Sequence, residues 1–211
     1  MKTTIKAKAI LLAALMLTTY SASAADVTAP TPVVGETYDY HKVDLFTGIE
    51  AQQWTLTFQG MKNGNYVFSG VNGTNKYSVY KNKNLNNFEV DKKTGETNEA
   101  QVLKWPLTIG DSYSYQFKNR IVKVNVEGLE KVETPAGIFD AYHIKLNGMW
   151  HDNEGYSGPW YEIYWYAPSV GNFVKIEYSA ADMLGRHLQW TKTELVKYSR
   201  RLPSTEPTPA N

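Results

Sequence analysis

The sequence predicts an all-β fold, either a curved, mostly antiparallel sheet or a half-barrel, and three observations lead to that prediction. From Gly35 onward, short runs of alternating apolar and polar residues recur, which is the pattern of strands with one buried face. Glycine, proline and asparagine separate these runs, as tight turns between strands require. No long stretch has the 3.6-residue periodicity of an amphipathic helix.

The first 24 residues have the features of a secretory signal peptide. Residues 2–8 include three lysines, the apolar run 9–17 follows, and small residues occupy positions 22–24. The apolar run is too short to span a bilayer. We therefore expect a periplasmic or secreted protein whose mature chain begins at Ala25 and carries no transmembrane segment.

Composition excludes several classes of protein. Removing the three signal lysines from 22 basic residues leaves 19 against 21 acidic ones, so the mature chain has no basic excess with which to bind nucleic acid. The chain has no cysteine, which excludes disulfides, zinc–thiolate sites and thiol nucleophiles. The remaining 187 residues can bury a hydrophobic core in a single domain over residues 25–198. No motif indicates a cofactor or a metal.

The first half of the domain reads as a series of short strands. Trp54, Leu56 and Phe58 alternate with polar residues, and Asn63-Gly64 is a hairpin signal because both residues tolerate positive φ. Further strands are predicted over residues 66–71, 76–81, 86–90 and 100–105.

The second half continues the pattern, with strands predicted over residues 113–117, 121–127, 139–146, 160–166, 172–178 and 187–198. Residues 147–159 contain three glycines and a proline, and we predict an irregular loop there. The stretch 160–166 is apolar or aromatic at nearly every position, which is typical of a strand covered on both faces. Residues 199–211 contain three prolines and few apolar side chains, and they predict a disordered tail.

Two half-repeats are predicted, over about residues 33–105 and 106–198. The run 34–40 (VGETYDY) matches 109–115 (IGDSYSY), and the run 85–90 matches 170–176 in the same order. The spacing between the matched runs is longer in the second half, so the loop 147–160 is the candidate insertion.

Three motifs carry a family resemblance: residues 106–110 (PLTIG), 134–139 (TPAGIF) and 165–175 (WYAPSVGNFVK). In them the chain resembles an uncharacterised family of bacterial periplasmic β-domains with PAGxF and WYAPxVGxxVK motifs. That resemblance implies a curved antiparallel half-barrel, similar in outline to lipoprotein-carrier proteins. The motif residues are turn formers and core aromatics, and no catalytic residue comes with them.

The aromatic residues around the predicted loop 147–160 are the candidate ligand-binding residues: Trp150, Tyr156, Trp160 and Tyr161. Such rings can stack on sugars or line an apolar groove. The same rings would also serve as the lid and core of the second half.

A second candidate site is the polar cluster His151, Asp152 and Glu154, with His143 one strand away. Imidazole and carboxylate groups suit acid–base chemistry, but the same residues suit a solvated loop tip.

These observations favour an exported, non-enzymatic β-domain that binds a small molecule, a glycan or an envelope protein. One alternative is a hydrolase or lyase that acts on an envelope polymer through the 147–160 loop. Another is a structural subunit of an envelope assembly that docks through a strand edge.

Overall fold

The computed structural model describes residues 27–90, 95–118 and 120–200. The predicted signal peptide and residues 201–211 of the predicted tail lie outside these ranges. The fold extends two residues into that tail, because Ser199 ends the last strand and Arg200 binds the buried Glu36.

The described residues form twelve strands and no helix. Ten strands belong to one large antiparallel sheet: β1 (Thr37–Asp44), β2 (Glu50–Lys62), β3 (Asn65–Asn72), β4 (Asn75–Lys81), β7 (Ser112–Phe117), β8 (Arg120–Thr134), β9 (Gly137–His151), β10 (Ser157–Ala167), β11 (Asn172–Ala181) and β12 (His187–Ser199). The other two, β5 (Phe88–Val90) and β6 (Thr97–Glu99), pair with each other. The prediction of an all-β fold built on a curved antiparallel sheet is confirmed.

The sheet consists of two meanders joined at its centre. Its strand order is β4-β3-β2-β1-β12-β11-β10-β9-β8-β7, so β4 and β7 form the two edges and the first strand pairs with the last. The chain must therefore pass from one edge to the other between β4 and β7. Residues 82–111 make that connection and contain the β5–β6 hairpin.

This crossing segment packs against one face of the sheet, which we call the inner face and which includes Tyr142 and Tyr166. Leu85, Val102, Leu103 and Leu107 are all buried in the same core cluster as those two tyrosines. An aliphatic crossing segment thus covers part of the inner face and supplies the core with side chains from outside the sheet.

The strand predicted over residues 100–105 is wrong, because these residues belong to the crossing segment. The Asn86 side chain accepts from the Leu103 N–H and donates to the Leu103 carbonyl, both at 2.8 Å. A side chain thus takes the place of a neighbouring strand, and the short strand in this region is Thr97–Glu99 instead.

The irregular loop predicted over residues 147–159 is also wrong. β9 and β10 pair without interruption from Tyr142↔Tyr166 to His151↔Ser157, so only residues 152–156 form a turn. The glycines that suggested a loop provide room for neighbouring rings. A Cβ added at Gly148 would lie 3.0 Å from the Trp160 indole, and one at Gly158 would lie 2.0 Å from the Ala181 carbonyl oxygen.

Matching hydrogen bonds occur at the start of each meander. The Gly35 N–H donates to the Phe58 carbonyl at 2.9 Å, and the Gly110 N–H donates to the Val126 carbonyl at 2.8 Å. The strands opposite these glycines each change register just after Phe58 and Val126. The internal repeat stays a prediction, and this correspondence supports it.

A buried carboxylate ties the two ends of the domain together. Glu36 is 1% exposed, accepts hydrogen bonds from the Tyr38 hydroxyl at 3.0 Å and the Val33 N–H at 3.1 Å, and pairs with Arg200. Because a buried charge is costly without partners, this network holds the beginning of β1 against the residue that follows β12.

Candidate functional site

A cavity of about 190 Å³ lies on the inner face, beside the part that the crossing segment covers. Strand alternation explains its lining, because Trp160, Glu162 and Tyr164 all point from β10 to the same side. Apolar side chains make up one part of its wall: Val102, Phe117, Val122, Leu146 and the indole of Trp160. The polar part consists of Glu162, Tyr115, Tyr164, Tyr178 and Arg120.

Glu162 is the carboxylate of this cavity, and its environment disfavours the charged form. Removal of water by the surrounding rings raises its pKa to about 7, although a hydrogen bond with Tyr164 and the positive charge of Lys42 oppose that rise. Desolvation is therefore the dominant cause. The carboxyl group consequently exists in both protonation states near neutral pH, and it can accept or donate a hydrogen bond.

The tyrosines around Glu162 remain protonated. Burial raises the pKa of Tyr164 well above its usual value, and the negative charge of Glu162 adds to that rise. Burial and the same charge also raise the pKa of Tyr115 and of Tyr178. The cavity thus presents hydroxyl groups beside one carboxyl group.

Trp160 contributes a hydrogen-bond donor that has no acceptor among the described residues. Its Nε1 atom is buried and unpaired, which is unfavourable because a buried donor loses its bond to water. The indole lies over Gly148, where an added Cβ would be 3.0 Å from its Nε1. Trp160 and the partly desolvated Glu162 line the same cavity, a combination suited to a ligand with both an acceptor and a donor.

The four predicted ligand-binding residues do not share one surface. Trp160 lines the cavity, while Tyr161 points to the opposite face of β10. Trp150 points to the inner face and donates from Nε1 to the Ala181 carbonyl at 2.8 Å. Tyr156 is 66% exposed at the tip of the β9–β10 turn. Of the four, only Trp160 meets the polar groups described above.

The polar cluster around His151 does not converge into a site. Asp152 accepts from the N–H groups of Glu154 and Tyr156 at 3.0 and 2.8 Å, which closes its own turn. His143 lies eight residues from His151 along β9, roughly 27 Å in an extended strand, and stacks on Trp165 with ring centroids 5.3 Å apart. In the described part of the chain, no group of three or more His, Asp or Glu side chains is placed to hold a metal.

Sequence reasoning missed Glu162, Tyr115 and Arg120. One signal for Glu162 was present, because it is the only residue of the aromatic run 160–166 that carries a charge at neutral pH in water. A charged residue in an otherwise apolar strand indicates either a buried ion pair or a functional role. Tyr115 and Arg120 carried no such signal, since only the pairing of β7 and β8 brings them to the cavity.

Comparisons with known proteins identify the fold. No family model and no curated protein matches the chain. Two solved structures are similar to it over 82% of its length and over 100% of their own. One is a candidate exported protein with a YmcC-like fold from Bacteroides fragilis, with a TM-score of 0.50 and 14% identity. The other is a candidate lipoprotein from Parabacteroides distasonis, with a TM-score of 0.51 and 17% identity.

No helix within the described ranges has the length and hydropathy needed to cross a bilayer.

Proposed function

We propose that this protein is a non-enzymatic domain of the cell envelope that binds a small, mostly apolar molecule in its inner cavity. The observation that carries the proposal is that Glu162 and Trp160, whose Nε1 is buried without a partner, line one apolar, aromatic cavity. A buried donor without an acceptor and a desolvated carboxyl group are both unfavourable for folding alone, which is the expected state of a site that a ligand completes.

The polar groups define the ligand's chemistry. Trp160 lacks an acceptor, and a Glu162 carboxylate can accept from a further donor, so a ligand hydroxyl group, which both accepts and donates, suits either residue. The surrounding rings and aliphatic side chains favour an apolar body, including the apolar face of a sugar. The volume of about 190 Å³ corresponds to roughly six water molecules at 30 Å³ each, so the buried part of the ligand is small.

The proposed location rests on two further observations. The N-terminal sequence has the pattern of a secretory signal. The two structural neighbours are named as a candidate exported protein and a candidate lipoprotein. Both observations support a periplasmic or secreted protein, as does the resemblance in the PAGxF and WYAPxVGxxVK motifs.

The test compares 2-naphthol with naphthalene, two fluorescent probes that differ only in a hydroxyl group. We expect 2-naphthol to bind more tightly to the wild-type protein. In the variant W160F, which keeps a ring and loses the N–H, the advantage of 2-naphthol should fall about three- to tenfold, the equivalent of one buried hydrogen bond. Fluorescence titration measures both affinities.

Y161F is the matched control, because Tyr161 belongs to the same strand but lies on the opposite face. It should leave both affinities unchanged. Equal affinity of the wild-type protein for the two probes, or an equal effect of W160F and Y161F, would contradict the proposed site.

A further inference from the structure

The large sheet is split at one end, next to the inner cavity. Pairing between β8 and β9 ends at Lys123↔Asn147. Beyond that pair, residues 120–122 of β8 pair only with β7, and residues 148–151 of β9 pair only with β10. The β7–β8 and β9–β10 hairpins are therefore separate from this pair to their tips. In the described structure, residues 120–122 of β8 and residues 148–151 of β9 form no pairs with each other.

A groove of about 610 Å³ occupies this split. Its apolar walls come from the two separating hairpins, with Ile121 on one side and Met149 and Pro159 on the other. Ile121 is 67% exposed and Met149 is 39% exposed. Apolar side chains thus remain in contact with solvent where the sheet opens.

The groove and the inner cavity meet at two side chains. Arg120 and Trp160 line both spaces. The split and the cavity that contains Glu162 therefore adjoin, and these two side chains stand between them.

The groove carries positive charge. Arg120 and Lys123 line it, and no carboxylate does. Both are exposed, and neither forms a salt bridge with another described residue. The other titratable group on the lining is His151, and the neighbouring Asp152 is engaged in its own turn. The outer end of the passage is thus suited to an anion.

We infer that the split between β8 and β9 is the entrance to the inner cavity, and that the ligand is an elongated molecule with an anionic end. Its hydroxyl-bearing part lies beside Glu162 and Trp160, its apolar body lies between Arg120 and Trp160, and its anionic end lies at Lys123 and Arg120. This inference rests on the proposed function and adds the route of entry and the charge of the ligand.

The charge is tested with 12-hydroxydodecanoate and its methyl ester, which share the hydroxyl group and the chain. Displacement of 2-naphthol measures their affinities. The acid should bind about two- to fivefold more tightly than the ester, and K123Q should reduce this difference, since an exposed ion pair contributes up to about 1 kcal/mol. K131Q, on the same strand but away from the split, should preserve it. Equal binding of acid and ester would overturn the assignment of the anionic end.

The entrance is tested by closing it. If pairing of β8 with β9 continued past Lys123↔Asn147, Ile121 would lie opposite Met149, two positions further on. The natural chain has no cysteine that could interfere with a disulfide introduced there. In the double variant I121C/M149C, the oxidised form should bind 2-naphthol at least about tenfold more slowly than the reduced form, and reductant should restore the rate. I121W, which fills the groove without a cross-link, should slow association in the same way.

The two proposals fail in different ways. If 2-naphthol binds with the W160F dependence described above, but neither the closed split nor I121W slows its association, the entrance is wrong and the inner-cavity site stands. If 2-naphthol shows no hydroxyl-dependent binding to any variant, the proposed function itself is wrong.

Discussion

At the residue scale, Glu162 shows how a single ionisable group marks a site. Its neighbours before and after it in residues 160–166 are all aromatic or aliphatic. The surrounding rings exclude water from its carboxyl group. The pKa rises because desolvation outweighs both Tyr164 and Lys42. Perturbed carboxyl groups in cavities are concentrated at functional sites, and here the perturbation coincides with an unpaired indole N–H.

This residue predicts a pH dependence of stability. The pKa of Glu162 is higher in the folded protein, about 7, than the ordinary value of 4.5. Below about pH 4.5 the group is protonated in both states, and as pH rises toward 7 the unfolded state ionises first. Folding stability therefore falls across this window, by up to about 3 kcal/mol at about 1.4 kcal/mol per pKa unit, and by less where the cavity admits water.

The variant E162Q should lack this fall. Urea unfolding at pH 5 and pH 8 measures the difference, with the exposed-site variant E133Q as control. E162Q should lose less stability than the wild-type protein between the two pH values, while E133Q should follow the wild-type protein. If E162Q and the wild-type protein showed the same pH dependence, the desolvation of Glu162 would be refuted.

The sequence revealed part of this site and not the rest. Alternation along residues 160–166 puts Trp160, Glu162 and Tyr164 on one side of a strand, and this can be deduced from the period of two. That Tyr115 joins them depends on the order of strands in the sheet. Local patterns contain no such information, because the alternation of apolar and polar residues shows which face of a strand is buried but not which strand lies next to it.

At the element scale, the β9–β10 hairpin shows why glycine is an ambiguous signal. Glycine is typical of turns, and its frequency over residues 147–159 predicted a loop. Two of these glycines instead lie within paired strands, where a larger residue would meet a ring or a backbone oxygen. A sequence cannot distinguish glycine that bends the chain from glycine that makes room for a neighbour.

The variant G158A tests this interpretation. Its new methyl group would lie 2.0 Å from the Ala181 carbonyl oxygen, the acceptor for Trp150. We expect the free energy of unfolding to fall by about 1–3 kcal/mol, the usual range for overpacking.

G128A is the control for that experiment. Gly128 has no neighbouring atom within 4 Å of an added Cβ, and its φ is not positive. Alanine there should leave stability unchanged or raise it slightly. Equal urea midpoints for G158A and the wild-type protein would show that the hairpin tolerates a side chain at position 158.

At the scale of the whole molecule, the crossing segment determines which part of the inner face is covered and which part holds the cavity. Its leucines fill one part, and the cavity with Glu162 occupies another. The all-β class and most strands were predictable, since alternation and turn residues are local. The stretch 100–105 of the crossing segment is predicted as a strand although it is none, because a buried segment bonded by the Asn86 side chain has the same apolar content as a strand.

A substitution at Leu107 tests how much the crossing segment contributes to the free energy of unfolding. It is 1% exposed and lies in the main core, so L107A should lower the free energy of unfolding by about 2–5 kcal/mol through lost burial and a new cavity. L184A, at a leucine that is 81% exposed, should change it by less than about 0.5 kcal/mol. Similar urea midpoints for the two variants would contradict the role of the crossing segment in the core.

The central pairing of β1 with β12 has a consequence for how the chain acquires its structure. β1 can pair with β12 only after β12, the last strand of the chain, has been synthesised. The contact between Glu36 and Arg200 likewise joins residues 164 positions apart. Until then each meander has a bare edge at what will become the middle of the sheet. Contacts so distant in sequence form slowly. A growing chain of this design stays incompletely folded until its last strand emerges, the condition in which a polypeptide can be threaded through a narrow export channel.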